Sequence, residues 1–79
     1  MENKKKLNLI SKVSALNIEL LGFSKVSGVI FQMVDTLERL DYIDFEDAIE
    51  LEKLANSVKS NEDAVSLKLS VIDFILNIK

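Results

Sequence analysis

"ELLGFSKVSGVI", residues 19–30, decides the fold, because it holds both glycines of a chain that has no proline. The sequence on either side is helical in pattern. Before it, Leu9, Ile10, Val13, Leu16, Leu20 and Leu21 fall on one arc of a helical wheel. Leu7 and Ile18 widen that arc to roughly 220°, where an ordinary surface helix needs an apolar stripe only a little over 100° wide. After it, Val26, Val29, Ile30, Met33, Val34, Leu37 and Leu40 share one face. If residues 5–41 formed one straight helix, the two stripes would point roughly half a turn apart and could not meet one core. A break is therefore expected between Gly22 and Gly28. Gly22 suits a left-handed helix end, and Ser24 or Ser27 suits the N-cap of the next helix. The alternative is one long helix whose two halves pack on different chains.

The rest of the chain follows the same period. Asp44 is a natural N-cap with Asp47 three residues on, and Ile43 just before it can pack back on the first turn. Ala48, Leu51, Leu54, Ala55 and Val58 form the buried stripe that follows, with Phe45 and Ile49 at its edge. Glu46 and Asp47 fall at the helix start and Lys53 and Lys59 toward its end, as the helix dipole favours. Glu50 is placed to pair with Lys53. Ser60-Asn61-Glu62-Asp63 is a second helix start. Beyond it lie two heptad-spaced apolar stripes: Ala64, Leu67, Val71, Phe74 and Ile78 with Ile75 beside it, and Val65, Leu69, Ile72 and Leu76. Two seams on one helix call for neighbours on two sides. Alternation over Leu67, Leu69 and Val71 admits a strand, but the caps and the length favour a helix.

The expected fold class is all-α. It is a small bundle of four helices at 5–21, 25–41, 45–59 and 61–79 (three if the first two fuse) in one domain spanning 1–79, with 1–5 disordered. Seventy-nine residues make a thin core. The surplus apolar surface on the first and last helices is then economically covered by a second copy. Leu7, Ile18, Val65, Leu69, Ile72 and Leu76 are the candidate dimer seam.

Composition excludes more than it suggests. The chain has no histidine and no cysteine, so the usual zinc, haem, disulfide and thiol chemistries lack their residues. The acidic run "DYIDFEDAIELEK", residues 41–53, fails as a calcium loop. Counted from Asp41, Ile43 and Phe45 occupy ligand positions and Glu46 stands where glycine is needed. Serine–lysine neighbours do not face each other on a helix, and Gly22 and Gly28 match no phosphate-binding loop. No cofactor and no enzyme activity are expected. A net charge of −3 disfavours general nucleic-acid binding, although Lys4, Lys5 and Lys6 could act as a basic arm. No stretch is long and apolar enough for a signal or a membrane span, and a cytoplasmic protein is the expectation, which the absence of cysteine fits. The richness in Lys, Asn and Ile suits an AT-rich bacterial or phage genome.

The reading is a non-catalytic protein–protein interaction module, a dimeric regulator, adaptor or inhibitor. Phe31, Tyr42, Asp41, Glu46 and Glu50 form its candidate partner surface, since exposed aromatics often anchor interfaces. The alternatives are an acidic decoy or immunity-type inhibitor of a basic partner and a small DNA-binding regulator.

Overall fold

The computed structural model describes residues 1–78, and these form five helices and no strand. They are α1 (Asn3–Ala15), α2 (Ile18–Leu21), α3 (Phe23–Arg39), α4 (Phe45–Asn56) and α5 (Asn61–Leu76). The all-α expectation holds. The boundaries differ from the expected ones in ways that have physical causes.

The expected helix over 5–21 is two helices. The chain leaves α1 at Leu16 in an extended conformation, and the Asn17 side chain caps α2 by accepting from the Leu20 amide at 3.1 Å. The break is fixed from far along the chain. The Lys68 ammonium donates to the carbonyls of Ser14 and Leu16, at 3.2 and 2.7 Å. Those carbonyls lie where the helix end leaves acceptors unsatisfied and where the dipole favours a cation. Re-phasing at residues 16–17 turns Leu20 and Leu21 outward, and Leu20 is 83% exposed. Both were expected on the apolar arc of a single helix.

The second break falls at Gly22, with φ 85° and ψ 151°, and this excludes one continuous helix. Gly22 is itself the N-cap position of α3. Ser24 and Ser27, the expected caps, lie inside the first turns, where the Ser27 hydroxyl donates to the Ser24 carbonyl at 2.9 Å. The last two helices start where expected. The Asp44 carboxylate accepts from the Asp47 amide at 3.0 Å, and the Ser60 hydroxyl accepts from the Asp63 amide at 3.1 Å. Asp63 in turn accepts from the Lys59 amide at 3.0 Å. Both helices end earlier than expected, at Asn56 and Leu76. Residue 79, placed in the last helix by its pattern, lies outside the described residues.

The N-terminus also differs from expectation. Residues 1–5 were expected to be disordered, as the ends of a chain commonly are. Here α1 begins at Asn3, and Met1 packs against the core. Lys5 is anchored on Tyr42, its ammonium donating to the hydroxyl and standing 4.8 Å from the ring centre.

The core is built from small and branched side chains. Val13, Val26, Ile30, Val34, Val71 and Ile75 are fully buried, with Leu37, Ala48, Leu51, Ala55 and Leu67 around them. Ile43 is buried before α4, as its place ahead of the cap implies. α3 packs on both α4 and α5, while α1 packs chiefly on α5. No polar side chain is buried among the described residues. The Cα radius of gyration is 11.7 Å, close to the roughly 11.6 Å expected of a folded chain of this length. Within one copy the buried side chains form a single cluster.

Candidate functional site

Three of the surfaces left open between helices hold most of the candidate residues.

The first is the seam between α1 and α5. Lys68 ties the C-terminal end of α1 to the middle of α5. Tyr42, which holds Lys5 of α1, also lines a hollow with Phe74, Asn77 and Ile78 at the end of α5. The two helices therefore run antiparallel. Ser14 shares a shallow groove of ≈ 240 Å³ with Val65, Lys68, Leu69 and Ile72. Leu7 lies two turns before Ser14 on the same side of α1, toward the Leu76 end of α5. Leu7, Val65, Leu69 and Leu76 are all exposed, at 48–63%. Ile72 is half-buried between them and touches the core. Ile18 is not part of this strip, since it packs partly into the core at the start of α2.

The second is a cleft of ≈ 530 Å³ between α1 and α3. Its floor is Leu9, Val29, Met33 and Leu37, and Lys5 and Lys12 stand along the α1 side. Tyr42 closes one end, half-buried and packed against the core. As hydrogen-bond acceptor first, and then through its charge, Tyr42 raises the Lys5 ammonium above the usual lysine range. Lys5 was expected, with Lys4 and Lys6, in a basic arm. The available signal was the seven-residue spacing of Lys5 and Lys12, which puts both on the Leu9 side of one helix.

The third is an acidic groove of ≈ 330 Å³ between α4 and α5, where Asp47, Glu50 and Asp73 line a floor that includes Leu51, Leu54 and Phe74. Partial desolvation, and then the charge of Asp44, hold the Asp47 carboxyl above the usual carboxylate range. Glu46 and Glu50 are exposed, and Glu50 does not pair with Lys53 as expected. Phe31 is half-buried and packed against the core, so it does not form an exposed pair with Tyr42. Glu52 faces the other way. Its carboxylate lies within 4.8 Å of those of Asp35 and Glu38 on α3, an arrangement that could hold a cation. Arg39, 3.2 Å from Asp35, already supplies one.

Asp41 has a structural duty that the sequence reading did not assign. Its φ is +62°. It donates to the Glu38 carbonyl at 3.0 Å while Tyr42 donates to the Leu37 carbonyl at 3.0 Å. These two bonds make the Schellman closure of α3, with Asp41 at the left-handed position that glycine prefers. Asp41→Gly is expected to stabilise the chain by about 1 kcal/mol, since it removes side-chain strain and a negative charge from a helix C-terminus. A higher urea midpoint with unchanged slope is the readout, and a lower midpoint contradicts the assignment.

No helix among the described residues is long and apolar enough to cross a membrane. Compared with known proteins, the chain matches no family model, no curated protein and no solved structure.

Proposed function

We propose that this protein is a non-catalytic interaction module that pairs with a second copy of itself and docks on another protein. The observation that carries the reading is the exposed apolar strip on α1 and α5. Leu7, Val65, Leu69 and Leu76 stand outside the buried cluster and have no internal use. The 4-3-4 spacing of Val65, Leu69, Ile72 and Leu76 is that of a helix–helix seam. The cation beside it, Lys68, is turned onto the carbonyls of α1 and so does not oppose self-contact. Glu62 continues the strip at one end of α5, and Lys4 continues the Leu7 side of α1 at the other. Neither makes an ion pair within the described residues. An antiparallel arrangement about a twofold axis brings Glu62 against the partner's Lys4, whereas a parallel one opposes like charges. A cytoplasmic location belongs to the same proposal and draws on the absence of cysteine.

Light scattering at micromolar concentration is expected to give twice the chain mass. Leu69→Glu, at a position 62% exposed, is expected to give a folded monomer with full helical circular dichroism. A wild-type chain that stays monomeric sinks the self-association part.

A second reading is docking of a basic partner on the acidic groove between α4 and α5, supported by the convergence of Asp47, Glu50 and Asp73. Such binding weakens as salt rises, and binding insensitive to ionic strength counts against it.

A further inference from the structure

The cleft between α1 and α3 has a composition unlike the rest of the molecule. The chain carries a net charge of −3, yet two lysines and no Asp or Glu line this cleft, with Glu2 acting on Lys5 from beside it. The α3 wall runs from Val29 through Gln32, Met33, Thr36 and Leu37 to Leu40, apolar along its floor and polar at Gln32 and Thr36. It runs about 16 Å, the length of three helical turns. The α1 wall offers Leu9 between Lys5 and Lys12. Seven residues separate the two lysines, so they stand about 10 Å apart along the cleft axis.

The geometry points to a docking site for an acidic amphipathic helix of another protein. Such a helix would lay its apolar residues on Leu9, Val29 and Met33. Two carboxylates, also seven residues apart, would meet Lys5 and Lys12. This deepens the proposed role in protein interaction and rests on it.

Three observations select this occupant. A helix bound alongside α1 has the same rise per residue, so a seven-residue pair of carboxylates matches the seven-residue pair of lysines without distortion. Half-buried Val29, Met33 and Leu9 form the apolar floor that helix-in-groove recognition uses, with anchors one turn apart. The Lys5 ammonium is held at the cleft end by Tyr42. One of its three N–H donors is used there, which leaves two for a carboxylate at a fixed position. A second copy of this chain does not fit, because no two of its Asp or Glu residues stand seven apart. A single-headed amphiphile such as a fatty acid would satisfy one lysine and leave the other idle.

The test is a display library of fifteen-residue helical peptides, randomised on one face and selected on the immobilised full chain. Retained peptides are expected to carry two acidic residues seven apart that flank apolar ones. Their amide-shift footprint is expected on Leu9, Val29 and Met33. Lys12→Glu is expected to weaken them about tenfold and to favour the matching peptides with lysine in place of glutamate. Lys12 is exposed and makes no internal bond, so this variant keeps the fold, and circular dichroism verifies that. Retention of basic or uncharged helices, equal binding by Lys12→Glu, or a footprint on the Leu69 strip each overturns the inference. So does laurate that saturates the cleft when no peptide is retained. Self-association is read separately by light scattering and by Leu69→Glu, so either proposal can fail while the other stands.

Discussion

Ile30→Ala is expected to remove about 2–5 kcal/mol of stability. For a chain of this length the total is only about 4–12 kcal/mol, so this one change takes a large share of it. Ile30 is fully buried in α3, the helix that packs on both α4 and α5. It shares one buried cluster with Val26, Val34, Val71, Ala48 and Ala55. Valine is stiff about its first side-chain torsion and alanine has nothing to extend. Such side chains cannot fold into the gap, and the cavity persists. A drop in melting temperature of more than about 10 °C follows. Leu20→Ala removes a comparable volume from α2, but Leu20 is 83% exposed, so its effect is expected within about 0.5 kcal/mol. Urea titrations of both, followed by helical circular dichroism, give the comparison. Equal losses from the two variants would contradict the packing.

Leu20 also marks where the sequence stops being legible. As a pattern it belongs with Leu9, Val13 and Leu16, and a continuous helix would bury it. The cap that breaks the helix, Asn17 with its acceptor bond from Leu20, was local and could have been read. The wide apolar arc outweighed it. The other agent of the break could not be read, because Lys68 stands more than fifty residues away from Ser14 and Leu16. By contrast, the Asp44 and Ser60 caps were legible because the cap and its partner amide lie three residues apart.

The same distinction applies to the surfaces. Helix α5 carries two apolar stripes, and its sequence does not rank them. The fold buries Ala64, Leu67, Val71 and Ile75 and leaves Val65, Leu69 and Leu76 outside. The acidic segment 41–53 looked like one feature and is divided by the fold. Asp41 closes α3, Asp44 caps α4, Glu50 faces α5 and Glu52 faces α3. The cleft between α1 and α3 was not legible at all. It depends on how far two helices splay, and that is set by what packs beneath them.

Gly22→Ala and Gly28→Ala are expected to act in opposite directions, although both glycines lie at or within the same helix. A Cβ built at either position meets nothing within 4 Å, so sterics beyond the residue itself play no part. Gly22 sits at φ 85° and ψ 151°, a region essentially closed to residues with a side chain. Alanine there costs about 1–3 kcal/mol. Asparagine, which tolerates the left-handed helical region, gains no relief at this ψ. Gly28 is exposed in the interior of α3, where alanine has the better helix propensity and restricts the unfolded chain. It is expected to add about 0.5–1 kcal/mol. The two midpoints should therefore move apart, one down and one up, with unchanged denaturant slopes. Gly22 does more than end a helix, because it sets the turn between α2 and α3, and through α2 it links the two walls of the basic cleft, α1 and α3. Gly22→Ala is accordingly expected to speed amide exchange in α1 before it does so in the α3–α4 pair. If the loss spread evenly over all helices, Gly22 would matter only to overall stability and not to the shape of the cleft.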